Sequence, residues 1–265
     1  MKKVASFCFL SLMLSLGAYS TFAQDSAPRR LQAGMTGNFG INMVKPTDSY
    51  FNSAPFNHDL SVGMIFNTSF KNAPNLGIST GFEFEFTKLN YEAADSVYYR
   101  YAGANILHQD EQGGTSYLLT DRQYSTVGVA VPFMMLFRMD PIGDWKIFAK
   151  FGIRNSFMVS QRINDRGFDV GADANGLTFT AKENANLKSF GDQFFYKGSV
   201  GFSAGAEWNF IGSTSLVPEF GFFYGLTPLH FRAIEDNYTF SDASGGYFYQ
   251  KARQNQLILK VSLLF

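Results

Sequence analysis

Cysteine is all but missing from this sequence: Cys8 is the only one in 265 residues. That excludes a disulfide framework and a cysteine-based metal site. Charge is scarce too. Lys, Arg, Asp and Glu make up 17% and cancel to +0, so no basic surface for nucleic acid is offered and none is expected as a partner. Long apolar runs are lacking beyond the N-terminus, and a mean hydropathy of -0.07 rules out a bundle of membrane helices. No Gly-rich phosphate loop or nucleophile elbow occurs. What the chain has in quantity is aromatics, at 17% with 30 Phe and 13 Tyr, and 25 Gly.

The N-terminus reads as a secretory signal over 1–23. Lys2 and Lys3 precede a short apolar core, Val4 to Leu16, and Thr21-Phe22-Ala23 leads to cleavage before Gln24. Cys8 lies inside the signal, too early to be a lipidated first residue, so the mature chain has no cysteine. Residues 24–30 form a short tail, and 31–265 remain for the folded domain.

The last ten residues, Gln256 to Phe265, alternate with period two. Leu257, Leu259, Val261, Leu263 and Phe265 share one face, and the chain stops on that face. A soluble domain rarely ends on its most apolar surface; a strand facing lipid can. Seven earlier stretches alternate in the same way, and no helical period competes. They begin with Leu31 to Met43, Leu60 to Phe66 and Leu76 to Asn90. Thr126 to Phe137 follows, then stretches around Ile147 to Phe157, Lys197 to Phe210 and Leu216 to Leu226.

Their connections alternate as well. Those around Asn72–Asn75, Asp140–Asp144 and Gly212–Ser215 are brief, whereas 44–59, 91–125, 159–193 and 228–250 are long. Brief periplasmic turns against extended outer loops is the pattern of an outer-membrane barrel, with both termini periplasmic. The expected fold is all-β: an eight-stranded antiparallel up-and-down transmembrane β-barrel.

A soluble eight-stranded barrel is the competitor, and it would turn a heavily charged face to water. Here the polar face is small residues plus a balanced charge set: Glu83, Glu85, Glu207 and Glu219 against Lys146, Lys150, Arg154, Lys197 and Lys260. Eight strands leave a lumen that side chains fill, so these charges are expected to pair inside it rather than line a channel. Pro132 falls within the fourth strand and Pro218 near the start of the seventh. Proline cannot donate to a ladder, so a bulge or an unpaired position is expected at Pro132.

Val127-Gly128-Val129-Ala130-Val131-Pro132-Phe133-Met134-Met135-Leu136-Phe137 resembles the proline-containing strand of the Bacteroidota outer-membrane β-barrel family, labelled porin-family or PorT-like. Tyr224-Gly225-Leu226-Thr227 resembles that family's late Y-G-L-T segment, and Leu259 to Phe265 its closing strand. Ala130 and Leu136 depart from the acidic residue and Lys common there. The resemblance implies outer-membrane lipid as surroundings, assembly by the barrel-insertion machinery, and envelope or secretion proteins as partners. No cofactor is expected.

Three other chemistries are weighed on the residues. His58, His108 and His230 fall in or beside outer loops, and His230 with Ser241 and Asp242 raises a lipid-modifying site at the rim; the spacing matches no motif, and a loop histidine is usually solvated. Asp169, Asp173, Asn175 and Gly176 partly match a calcium loop, but Gly171 and Lys182 stand where carboxylates are needed. Tyr98, Tyr99, Tyr101 and Tyr117 suit either partner contact or strands continued above the membrane. The expected role is non-enzymatic, with loops displayed for adhesion, envelope assembly or secretion support. A lipid-modifying enzyme or a small channel is the alternative.

Overall fold

The computed structural model describes residues 30–108, 111–174, 176–188, 193–211, 214–230 and 239–265. The expected signal and the tail up to residue 29 lie outside them. Eight long strands carry the fold: β1 Leu31–Pro46, β2 His58–Phe70, β3 Ala73–Ala102, β4 Thr115–Arg138, β5 Trp145–Asp173, β6 Tyr196–Ile211, β7 Thr214–Gly225 and β8 Ala252–Leu264. Each pairs antiparallel with its neighbour in sequence. β1 pairs with β8 over Gly34–Pro46, which closes the ring and leaves no free edge there. Following partners once around from Ala33 returns to Met43, ten residues further along β1. Such a stagger in eight strands tilts them roughly 40° from the axis.

Alternation then decides what meets what. Phe84, Phe151 and Phe202 are 42%, 57% and 59% exposed on the outer wall, whereas Glu83, Lys150 and Glu207 are at most 3% exposed inside. The terminal strand obeys the same rule: Leu259, Val261, Leu263 and Phe265 face out and Lys260 faces in. Large apolar side chains encircle the closed sheet, which requires lipid around it. Trp145 stacks on Trp208 at 5.6 Å toward the end of the short turns, where an interfacial aromatic girdle belongs. The turn at that end between β4 and β5 places Gly143 at φ +61°, a conformation side chains resist.

Pro132 meets the expectation of an unpaired position. The β3–β4 register runs Thr80↔Phe133 and resumes at Glu83↔Ala130, so the rungs between are not made. Thr80 Oγ1 donates to the Pro132 carbonyl instead, at 2.9 Å. Pro218 is handled alike: Leu216↔Trp208 is followed by Glu219↔Gly205.

The long connections need correction. Residues 91–125 and 159–193 are not open loops over most of their length. β3 continues to Ala102 and β4 starts at Thr115; β5 runs to Asp173 and pairs with a further strand, Gly176–Leu187. β3 alone has 30 residues, about 100 Å of chain at ~3.3 Å per residue. A tilted strand needs only about 9–11 residues to cross the bilayer. The surplus stands beyond the apolar belt as an extension of the same sheet. Phe51–Ser53 pairs with β3 at Tyr91–Ala93, and Ser241 pairs with Tyr98.

Candidate functional site: the charge-paired lumen and the tyrosine core beyond it

Inside the belt, inward positions on five strands bring most of the expected charge cluster together. Arg154 on β5 bridges to Glu83 and reaches Glu85 Oε1 at 2.7 Å. Lys260 donates to the other Glu83 oxygen at 2.7 Å. Beside them Lys150 pairs with Glu219 at 2.6 Å, and Ser203 donates to the second Glu219 oxygen at 2.7 Å. Each acid is therefore held by cation or hydroxyl, as desolvated charge demands. Toward the turn end Glu207 takes Arg138 Nε at 3.0 Å, and Arg138 also donates to Ser69 Oγ at 2.8 Å and to Gln32.

Two expected members stay apart. Lys146 and Lys197 are half-buried and form no ion pair among the described residues. Lys197 lines a small cavity with Glu85, Arg154 and Gln256. That cavity is about 40 Å³, and the one beside Lys150 and Lys260 about 20 Å³; both are of water scale.

The alternation missed Arg138, which shares Pro132's inward parity, and Asp59. Gln256 donates to Asp59 Oδ1 at 2.7 Å, while Oδ2 has no partner among the described residues. A Cβ on Gly40 would meet this carboxylate at 2.1 Å, so glycine is what makes room for it.

Beyond the belt the interior changes character. Tyr91, Tyr99, Tyr101, Tyr117 and Tyr124 pack inward with Leu89, Val97, Leu119, Ile163 and Phe240 into one core. This bears out the continued strands and corrects the exposed placement expected for most of the tyrosines. They do lie on continued strands, but Tyr99 and Tyr117 are fully buried, and only Tyr98 of the set stays half-exposed. One ion pair sits among them: Arg122 grips Asp165 through two bonds, 2.9 and 2.7 Å, with neither side chain exposed. Its guanidinium lies 5.0 Å from the Tyr99 ring and 4.8 Å from Phe240, a favourable cation–π placement. Burial, then the Asp165 charge, raises the Tyr99 and Tyr117 hydroxyl pKa above the ordinary value.

His230 joins this core rather than a solvent rim. It is buried, shares a 2.9 Å hydrogen bond with Tyr91 Oη and lies edge-on to that ring. Asp242 accepts from Tyr50 Oη, Ser244 Oγ and Gly246 N at 3.1, 2.6 and 2.8 Å, which fixes a turn. The Ser244 and Gly246 bonds hold its carboxyl below the usual range. His58 is half-buried beside Phe39 and Phe56, and His108 is half-buried. The segment weighed as a calcium loop is hairpin strand: Asp169 takes Tyr101 Oη at 2.8 Å and Lys182 Nζ at 2.9 Å. Asn175 lies outside the described residues.

Comparison with known proteins agrees with this architecture. A family described as outer membrane protein beta-barrel domain matches residues 22–230. Solved structures that resemble the chain include the attachment invasion locus protein Ail of Yersinia pestis. It is 10% identical, covering 89% of this chain and 100% of that one at a TM-score of 0.34. The outer membrane protease OmpT of Escherichia coli is 9% identical over 93% and 99%, TM-score 0.33. A major outer membrane protein of Thermus thermophilus is 14% identical over 88% and 98%, TM-score 0.33. At such identities and scores these likenesses say nothing of what this chain does. No curated protein matches it in sequence.

Proposed function

The chain belongs to the outer membrane protein beta-barrel domain family, and on that premise we propose that it is a non-enzymatic barrel displaying a rigid β-extension for interaction. The barrel sits in the outer membrane, with its termini and short turns in the periplasm and the extension outside the cell. Partners are envelope proteins met in adhesion, envelope assembly or secretion support, and the barrel-insertion machinery during assembly. The segments Val127–Phe137 and Tyr224–Thr227 support a place among the Bacteroidota porin-family or PorT-like barrels.

One observation carries this reading. β3, β4 and β5 continue beyond the belt around a core of their own, which a barrel needing only to span lipid has no use for. A filled, charge-neutralised lumen supports a structural role over conduction. At the rim of the extension, Gly176–Leu187 pairs on one side with β5. Leu177 and Phe179 stand 66% and 49% exposed there, and such a strand can receive another chain.

Chemical crosslinking in the native membrane tests the proposal, comparing wild type with Leu177→Asp/Phe179→Asp. Envelope proteins captured by the wild type and lost in the variant, with heat-modifiable gel migration retained, are the expected result. Altered lipid A species that depend on His230, or conductance steps in planar bilayers, would contradict it in favour of an enzyme or a channel.

A further inference from the structure

Going up from the apolar belt, the first outward-facing charged side chain is basic on four of the eight strands. On β1 it is Lys45, directly above Met43; on β8 it is Arg253; on β3 it is Lys88, above Phe86; on β5 it is Arg162. All four are exposed. On β4 the outward positions pass Ser125 and Gln123 before reaching Asp121. At the turn end the corresponding charges are mixed: Arg30 and Lys71 against Asp140 and Asp144.

The basic residues are neighbours across strands. Lys45 is the registered partner of Arg253. His58, Lys88, Ser125 and Arg162 form one continuous cross-strand row over β2, β3, β4 and β5. Opposed side chains in an antiparallel pair stand roughly 5 Å apart at Cβ, and like charges there repel. Lys45, Arg253 and Lys88 form no ion pair among the described residues, and the outward acids Glu92 and Asp121 lie further from the belt.

We propose that this collar binds the phosphate-bearing headgroups of lipids in the leaflet at the extension end. The collar adjoins the belt, so a lipid whose chains lie against Ile41, Met43 and Leu257 carries its phosphate to Lys45 and Arg253. Lys88 and Arg162 offer further basic contacts one quarter-turn and one half-turn round the barrel from Lys45, with Ser125 between them. Charge complementarity selects an anion, and continuity with the belt selects one with acyl chains. The mixed charges at the other end give the two membrane faces different preferences. The inference rests on the membrane placement and not on the interaction role, so lipid preference and partner capture can fail separately.

The test is binding of phosphatidic acid against phosphatidylcholine to the full-length barrel in neutral detergent, followed by native mass spectrometry. Wild type is expected to prefer phosphatidic acid. Lys45→Gln/Arg253→Gln should lower that preference about fivefold per side chain, so roughly twenty-five-fold for the pair. Lys71→Gln at the opposite end should leave it unchanged. The charge-conserving pair Lys45→Arg/Arg253→Lys should keep it, and heat-modifiable migration reports that each variant is folded. In neutral detergent without phosphatidic acid the Gln pair should be at least as stable as wild type, because like charges are removed. Equal preference in wild type and the Gln pair overturns the proposal. So does displacement of the lipid by an equal concentration of inorganic phosphate, which would make the collar a site for free anions.

Discussion

Up to Thr87, β3 carries Phe82, Phe84 and Phe86 outward with Glu83 and Glu85 inward; past it, Leu89 and Tyr91 point inward while Lys88 and Glu92 point outward. The direction of alternation has not changed, but its polarity has. β4 does the same in reverse order, with Arg122 and Tyr124 inward above Thr126 and Val127, Val131 and Phe133 outward below. One sheet thus has two regions built for two solvents. Where lipid surrounds it, grease goes outside and ion pairs fill the bore. Where water surrounds it, the bore fills with tyrosine and leucine, as in a soluble protein. The level at which the swap occurs is the edge of the bilayer.

Mutations that strike one region should leave the other intact, and the largest effect belongs to the bore within the belt. Arg154→Met strips Glu85 and half of Glu83 of their cation, costing about 3–5 kcal/mol. Loss of heat-modifiable folding is the expected readout, and adding Glu85→Gln should recover part of it. Tyr99→Ala removes a similar amount, about 3–5 kcal/mol, but from the extension. Limited proteolysis should cut the extension while the barrel still migrates as a folded species.

Phe84→Arg, within the belt, should cost about 2–4 kcal/mol, against about 0.5 kcal/mol for Phe179→Arg on the outer surface of the extension; urea midpoints in detergent compare the two. Tyr117→Phe, which loses the hydroxyl bond to the Lys182 carbonyl, should cost about 1 kcal/mol.

The smallest effect appears only in alkali. Tyr99 and Tyr117 have raised pKa values in the fold. Above the ordinary value of 10.0 the unfolded chain releases those protons and the folded one keeps them. Extension stability is therefore full below that pH and falls as pH rises past it. Ultraviolet titration of tyrosinate, with and without denaturant, checks the direction.

The same swap explains what was legible in the sequence. Alternation located all eight strands, and the balanced charges placed Glu83, Glu85, Lys150, Arg154, Glu207, Glu219 and Lys260 inside. An apolar outward face is what marks the strands in the sequence, and that mark ends near Asn90, Thr126 and Phe157, where the face turns polar. Bulges add to the break: β3 shifts register between Glu92 and Val97, and β5 opposite Val127/Gly128. Past them the tyrosines have the period of a strand whose inner face is the apolar one, and they read as loop. Arg122 and Asp165 lie past those points, where the sequence carries no apolar outward face to mark them as strand. His230 stayed unseen as a core residue because the contact to Tyr91 joins positions far apart in the chain.

The central claim is that the reversal of inside and outside polarity marks the bilayer edge. With Cys8 inside the expected signal, single cysteines at Phe84, Phe151, Phe202, Leu177 and Phe179 can each be offered a membrane-impermeant maleimide in reconstituted vesicles. All five side chains are exposed outward. Labelling at 177 and 179 with protection at 84, 151 and 202 is the outcome this account requires. Equal labelling at all five would mean water surrounds the whole sheet, and the account would be wrong.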